Sequence, residues 1–470
     1  VIEGLHEEQR VRAVREAIGG DAAWIVGGTV RDALLGRPLS DLDLAVPADP
    51  AQAAKSIAKQ LDATAFRLSE EFGAWRVVTR DHGFTCDVAP LQGATIEEDL
   101  GQRDFAANAV AVPIDGGAPI DPHDGIADIG ARLLRVLPGA YERDPLRPLR
   151  LARLATELDF RADQRTEQLT LEAAHAVTQA SPERIFAELR RLVIAERVLD
   201  GLALADRLGL IAAILPELAA LHGVEQSHFH HLDVHGHTLE VLREQLKIER
   251  DPERVFGPEI GPRLAALLEE PLADELTRAQ GLRFAALTHD IAKPATRQVL
   301  PNGRVTFIGH DAVGEEVIAG ICRRLRTSER LREFLGANAR HHLVLGFLVH
   351  ERPLDRAAVY HYLRTCSPVE VEVTVLSCAD RLATRGKNAD RAIELHVELA
   401  RELMEAALEW RASGPPKPPV RGNELARELG IEPGPELGAL LAELAEARYT
   451  GEATTADEAV ALARRLRQNP

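Results

Sequence analysis

The sequence predicts an α+β chain, with one mixed strand–helix unit at the N-terminus and a long all-helical remainder. Three observations carry that prediction. Strand and helix signals alternate up to about Asp128. From about Ala131 nearly every segment has helical period. The composition is 45% apolar but only 4% aromatic, so the cores must be mostly Ala, Leu, Val and Ile, which favours helices. At 470 residues the chain is too long for one core, and two to four domains are expected.

Taken in order, AAWIVGG (22–28) reads as a strand, TVRDALLG (29–36) as a short helix and SDLDLAVP (40–47) as a strand. PAQAAKSIAKQLD (50–62) is helical, and AWRVVTR (74–80) and FTCDVAPL (84–91) are strands. Asp144-Pro145 and Ser181-Pro182 are helix-start signals. The histidine-rich stretch HFHHLDVHGHTLEVL (228–242) opens a new unit, which continues as helices to about residue 411. SGPPKPPV (413–420) is a Pro-rich linker before a small helical module. The expected domains are 1–130, 131–220, 221–412 and 413–470.

The net charge of −17 excludes nucleic-acid binding through the overall field, so any RNA contact must rest on a local basic patch. Four cysteines without a C-x-x-C pair indicate neither a disulfide framework nor a zinc ribbon. No apolar run approaches 18 residues and no signal-peptide pattern is present, so the expectation is a cytoplasmic protein without a membrane partner. The chain begins at Val1 rather than Met, and a trimmed start is expected.

Chemistry concentrates in GGTVRDALLGRPLSDLDLAV (27–46). In a strand, Asp41 and Asp43 share one face while Leu42 and Leu44 take the other. Two adjacent carboxylates repel unless a cation or water separates them, and Mg²⁺ favours one or two carboxylates with substrate phosphates. Alone, D-x-D reads first as a solvated turn followed by a surface strand. Gly27 and Gly28 upstream allow backbone N–H groups to approach phosphate, and Arg31 is placed to fork onto a triphosphate. Phosphate loop, arginine and metal carboxylates together describe nucleotidyl transfer.

G-G-x-V-R-D-x-L-L-G followed by D-x-D resembles the signature of the bacterial class II CCA-adding tRNA nucleotidyltransferase and poly(A) polymerase family. The resemblance implies a polymerase-β-like nucleotidyltransferase palm followed by all-α neck, HD and C-terminal domains. It implies that Asp41 and Asp43 are catalytic and bind Mg²⁺. Asp87, on a later strand, is either a third carboxylate or an ordinary strand-edge residue. QRDFAANAVAV (102–112) resembles the family motif R-R-D-F-T-x-N-A, which implies nucleotide contacts from Arg103, Asp104 and Asn108. Gln102 replaces the first arginine of that motif, and Ala106 and Ala107 also depart from it. Asp121 and Gly125, in IDPHDGIADI, take turn roles.

YERDPLRPLRLARLA (141–155) resembles the family motif E-D-x-x-R, implying that Asp144 and Arg147 read the incoming base. The chemistry follows from the bases. Cytosine and adenine each offer an amino donor beside a ring-nitrogen acceptor, which a carboxylate and a guanidinium complement. Guanine and uracil present the reverse order. Asp before Pro is also a good helix cap, and that reading stays open. Arg143 stands where the family often has Glu, so Arg147 needs another orienting partner, with Glu142 nearby. Arg147, Arg150 and Arg153 continue at helical spacing, as a contact for triphosphate and the RNA 3′ end or as a solvated face. In SPERIFAELRRL, Glu183, Arg184 and Glu188 read as mainly structural.

A second constellation follows. His237, His289, Asp290 and Asp380 resemble the HD phosphohydrolase pattern H…HD…D. Imidazoles with carboxylates suit Mn, Ni, Fe, Co or Mg and lower the pKa of bound water. His310, with His341 or His342, completes a second metal position, and Lys293 reaches phosphate. A degenerate HD fold kept as scaffold is the alternative. The expected activity is addition of C and/or A to tRNA 3′ ends from CTP and ATP, with HD hydrolysis of RNA ends beside it. A CC-adding, A-adding or poly(A) enzyme is the nearest alternative, and the short segment between FTCDVAPL and Arg103 resembles the CC-adding type. A phosphohydrolase with a nucleotide- or RNA-binding module is the alternative from another class.

Overall fold

The computed structural model describes residues 2–39, 41–47, 49–68, 70, 73–226, 232–385 and 389–468. They form two compact units, Val1–Ile214 and Leu215–Pro470.

The first unit is built on a six-stranded mixed sheet. Helices α1 (Ile2–Glu7) and α2 (Gln9–Ile18) precede β1 (Trp24–Val26), α3 (Gly28–Leu34), β2 (Asp41–Val46) and α4 (Pro50–Gln60). Then come β3 (Ala63–Arg67), β4 (Trp75–Thr79), β5 (Thr85–Pro90), α5 (Ile96–Gly101) and β6 (Ala111–Pro113). The strand order is β3-β4-β5-β2-β1-β6. Within this sheet only β2 and β5 run parallel, and their register sets Asp43 opposite Asp87. Asp49 starts α4 by accepting from Ala51 N at 2.9 Å, with Pro50 at its first position. Ala54, Ile57 and Ala58, three and four apart, bury its inner face.

Strand β2 divides two cores. Leu42, Leu44 and Val46 pack with Ile25, Val30, Cys86 and Val88 on one face. Ala45, on the other, joins Val26, Ile96 and Leu100. Asp41 and Asp43 therefore share a face with Ala45, as the alternation requires.

The helical part of this unit begins with α6 (Gly125–Gly130), α7 (Ala140–Arg143), α8 (Arg147–Leu158), α9 (Gln164–Ala173) and α10 (Pro182–Ile194). The expected helix start at Asp144 falls three residues late. The Asp144 carboxylate instead accepts from Leu146 N at 3.0 Å, holding the turn before α8. Ser181 precedes Pro182 as expected but makes no side-chain cap bond.

The second unit is mainly helical. Asp233 caps the helix Val234–Arg250 through Gly236 N at 2.7 Å, which fixes His237 in its first turn. A reciprocal cap between Thr277 and Gln280 starts Arg278–Thr288, whose C-terminal end delivers His289 and Asp290. Two short hairpins interrupt the helices, one pairing Pro271–Ala273 with Leu276–Thr277 and one pairing Gln298–Val299 with Val305–Thr306. They correct the expectation of helix throughout, and Asn302-Gly303 is the turn signal behind the second. The helices Gly422–Leu429, Pro435–Thr450 and Ala456–Gln468 close the chain around their own core of Leu425, Leu444 and Leu462. His228, His230 and His231 of the histidine-rich stretch lie outside the described residues. No helix among the described residues is long and apolar enough to cross a membrane.

Candidate active site and metal centre

A cavity of about 950 Å³ in the first unit is lined by Gly27, Gly28, Asp41 and Asp43, with Arg103, Asp104, Asn108 and Arg150 across from them. The turn from β1 into α3 is pinned to β2 by Thr29. Its hydroxyl donates to Asp41 O at 3.1 Å and accepts from Asp43 N at 2.8 Å. Gly27 has φ +66°, and a Cβ there would stand 2.8 Å from Arg103 Nη1 and 3.4 Å from Asp43 Oδ2. Glycine is thus needed twice, for the backbone and for the approach of Arg103.

Asp43 lies among opposing charges. Burial first, then the Asp87 charge, push its carboxyl up to about 6 against the pull of Arg103. Asp87 is itself gripped by Arg76 through two bonds of 2.7 Å. The pair is one register step across β4 and β5. Asp41, Asp43 and Asp87 thus occupy neighbouring positions on β2 and β5, with Asp43 reluctant to ionise.

The arginines expected to meet phosphate are held by protein groups. Arg31 is buried and forks onto Asp32 at 2.9 and 3.0 Å, while its Nη1 donates to Asn108 Oδ1 at 2.6 Å. Arg31 thus joins α3 to the Arg103–Asn108 segment while lining the cavity. Arg103 is gripped by buried Asp99, one helical turn earlier, at 2.9 and 3.1 Å. Asp104 accepts from Asn108 Nδ2 at 2.9 Å and from Arg150 Nε at 3.0 Å. Burial alone would raise the Asp104 carboxyl, but Arg150 and the Asn108 amide hold it well below the usual carboxylate range.

The stripe Arg147, Arg150 and Arg153 is likewise not a solvated face. Arg150 Nη1 reaches Glu188 at 3.3 Å, and Arg153 pairs with Glu188 and, at 2.6 Å, with Glu157. Glu188, read from sequence as structural, joins α10 to α8 through both arginines. Asp144 and Arg147 do not meet as a side-chain pair. Arg147 donates to the carbonyls of Gln102 (2.8 Å), Arg103 (3.0 Å) and Ala140 (3.2 Å). These carbonyls supply the orienting partners that Arg143 in place of Glu leaves open. Asp144 pairs instead with Arg184 Nη2 at 2.6 Å. The sequence reading missed Asp32, Arg76 and Asp99. Only Asp99 had a signal, an acid four residues before an arginine, although α5 ends at Gly101 before reaching it.

The second unit brings together His237, His289, Asp290 and Asp380, and adds His310 and His342 rather than His341. His237 Nε2 lies 2.9 Å from Asp380 and 3.9 Å from Asp290. His289 and His310 Nε2 lie 3.1 and 3.2 Å from Asp290, and His342 Nε2 3.8 Å. The Nδ1 atoms of His289, His310 and His342 contact the carbonyls of Ala286, Phe307 and Ala339 at 2.9, 2.7 and 2.7 Å. A carbonyl only accepts, so Nδ1 carries the proton and Nε2 turns its lone pair inward. His310 and His342 then face each other lone pair to lone pair at 3.3 Å, an arrangement that calls for a cation between them. Burial and the neighbouring His289 push His342 down to about 4, which keeps it neutral. Asp290 Oδ1 and His289 Nε2 are buried without a hydrogen-bond partner among the described residues. Two triads share Asp290, one with His237 and His289 and one with His310 and His342. Lys293 Nζ stands 2.6 Å from Asp290 Oδ2.

Residues 23–135 match the poly A polymerase head domain family, 159–221 the probable RNA and SrmB-binding site of polymerase A, and 259–385 the HD domain. The chain is 35% identical over 450 residues to the A-adding tRNA nucleotidyltransferase of Deinococcus radiodurans, covering 94% of this chain and 95% of that one. It is 34% identical over 448 residues to the CC-adding tRNA nucleotidyltransferase of Thermus thermophilus, covering 93% and 92%. A solved CCA-adding enzyme with ATP is similar at TM-score 0.64 and 20% identity, over 100% of this chain and 96% of that one. That likeness establishes the α+β fold, with a sheet-containing palm followed by helical domains.

Proposed function

The chain belongs to the tRNA nucleotidyltransferase family, and from that premise we propose that it adds C, A or both to tRNA 3′ ends from CTP and ATP, without a template. The observation that carries the reading is the pair Asp41 and Asp43 on one strand face, with Gly27, Gly28 and Arg103 against it in one cavity. Asp41 and Asp43 would hold Mg²⁺, which when bound activates the attacking hydroxyl and stabilises the departing pyrophosphate. The glycine turn admits phosphate close to backbone N–H groups. Arg103, pre-aimed by Asp99, adds positive charge where the triphosphate lies. Asp104, Asn108, Arg31, Arg150 and Arg153 act by holding that segment in place. Asp144 supplies the acceptor for the amino group of C or A. The matching guanidinium is Arg147 by motif and Arg184 by geometry. A cytoplasmic location accords with a tRNA substrate and four free, buried cysteines.

The test uses transcripts ending before CCA, after C and after CC, each given CTP or ATP alone. Incorporation lost in Asp41→Ala and Asp43→Ala supports the reading, and incorporation that survives both refutes it. The pattern of extended transcripts separates full, CC-only, A-only and poly(A) addition.

The cluster around Asp290 favours a second activity, hydrolysis of a phosphate ester at an RNA end. His237, His289, Asp290 and Asp380 would hold one divalent ion (Mn, Ni, Fe, Co or Mg), and His310 and His342 a second beside the same Asp290. Bound there, the metal supplies a water of lowered pKa. Lys293 stands ready for phosphate. In a chain carrying Asp41→Ala and Asp43→Ala, metal analysis expects more than one ion per loaded chain, falling by one when His310→Ala is added. A scaffold role predicts no ion in either of these proteins.

A further inference from the structure

Transfer to an RNA end brings two phosphate-bearing molecules to one pair of carboxylates, the nucleotide and the strand whose last hydroxyl attacks. The residues assigned to the nucleotide account for only part of the cavity. Its volume of about 950 Å³ is at the top of the roughly 300–1,000 Å³ that encloses one small ligand. The remaining wall carries Arg37 and Arg191, to which neither the motifs nor the mechanism above gives a role.

Both arginines converge on Glu157. Arg191 Nε and Nη2 donate to its two carboxylate oxygens at 2.9 Å each, and Arg37 Nη2 donates to its backbone carbonyl at 3.0 Å. The same carboxylate also serves Arg153. Glu157 thus serves two guanidiniums, while Arg153 also shares Glu188 with Arg150. Arg37 adds a third, answered only by Asp32 at 4.0 Å, and Asp32 is already forked by Arg31. The side chains of Arg37 and Arg191 are 42% and 50% exposed, whereas Arg153 is buried. This wall is therefore locally cationic, with two guanidiniums oriented by the neck and open to the cavity. Such a surface suits phosphodiesters read without regard to sequence.

We propose that Arg37 and Arg191 form a backbone-phosphate subsite for the last nucleotides of the RNA strand, which present the attacking hydroxyl. The inference rests on the nucleotidyl-transfer reading of Asp41 and Asp43. It assigns strand binding to a wall the nucleotide does not use.

The experiment takes the full chain, Arg37→Ala, Arg191→Ala and the two lysine variants. Initial rates are measured against tRNA lacking its end and against whichever of CTP and ATP is incorporated. tRNA binding is also measured across KCl concentrations. Each alanine variant is expected to raise KM for tRNA about tenfold, with KM for the nucleotide and kcat within about twofold. The slope of log K against log[salt] should shrink by about 0.7 for each single-strand phosphate that is no longer neutralised. The lysine variants lose the Glu157 geometry but keep the charge, and should restore most of the slope. A rise in nucleotide KM instead, or an unchanged tRNA KM and salt slope in folded variants, overturns the subsite. If the wild-type chain incorporates nothing, the transfer reading falls, while the salt slope still decides the subsite.

Discussion

Replacing Gly27 by alanine separates backbone strain from site geometry. Gly27 has φ +66°, and its new Cβ would lie 2.8 Å from Arg103 Nη1. That is roughly 0.7 Å inside the ~3.5 Å at which non-bonded heavy atoms attract best. The glycine backbone is tied into the turn, so the guanidinium must give way, and with it the grip of Asp99. Gly19 is the control, with φ +69° and nothing within 4 Å of its would-be Cβ. Alanine at Gly19 carries the left-handed backbone cost of about 1–2 kcal/mol, and Gly27, with ψ −131°, lies outside that region and costs at least as much. For a unit of this size that lowers the melting temperature by roughly 2–8 °C. Only Gly27→Ala displaces Arg103, and a shift approaching 1 Å near reacting groups costs on the order of 100-fold. Melting curves and kcat/KM for the nucleotide are measured side by side. The expected result is loss of stability in both variants, at least as large in Gly27→Ala, with kcat/KM down about 30- to 100-fold in Gly27→Ala alone. Equal kcat/KM in the two variants would refute the role given to Arg103 and to the tight turn beneath it.

Three further outcomes follow from the same geometry. Asp43 ionises at about 6 in the fold against an ordinary 3.8, so protonation favours the folded, metal-free chain. That chain should gain stability as pH falls from 6 toward 4 and lose it as pH rises through 6, while affinity for Mg²⁺ falls about tenfold per unit below pH 6. Calorimetry with and without Mg²⁺ reads both signs. Glu188→Ala leaves Arg150 and Arg153 without their shared carboxylate and should cost about 3–5 kcal/mol, the range for breaking a buried pair, read by urea unfolding. Arg147→Ala and Arg184→Ala divide base reading, since whichever supplies the donor beside Asp144 lets GTP or UTP compete with the native nucleotide. If discrimination survives in both, neither arginine reads the base.

The strand–helix alternation and the face shared by Asp41 and Asp43 were legible because both depend on local period. Strand β3 was not, because Ala63–Arg67 lies at the sheet edge with Thr64 and Phe66 exposed and only the small Ala63 and Ala65 turned to the core. The HD residues were legible as types in order, yet His342 could not be separated from His341. Neighbours on a helix are 100° apart, and only the fold shows which one turns inward. The arginine partners were the least legible. Asp32, Asp87 and Glu188 are set by register and helix packing, and nothing local announces that Asp144 meets Arg184 across 40 residues. The hairpin at Asn302-Gly303 did carry its signal, masked by the helical run around it.

An acidic chain that acts on a polyanion must solve its electrostatics within a few ångströms. Beyond about 8–10 Å, salt screens exposed charges, so the net charge of −17 neither helps nor hinders much at the reacting atoms. Inside the cavity the arginines other than Arg37 are paired rather than accumulated, among them Arg31 with Asp32, Arg76 with Asp87, Arg103 with Asp99 and Arg191 with Glu157. Each pair gives up net charge and gains a guanidinium fixed in direction, whose remaining N–H groups need little further ordering. The two effects have opposite signs in one variant. Asp99→Asn makes the cavity more positive, which a field argument says should tighten nucleotide binding. It also weakens the charged grip on Arg103, which a positioning argument says should lower kcat/KM. The amide offers one uncharged acceptor oxygen in place of a carboxylate, so the ion pair is lost and the guanidinium is held less firmly. We expect kcat/KM to fall about tenfold with nucleotide KM nearly unchanged. A rise in kcat/KM would show that charge, rather than its placement, governs this site.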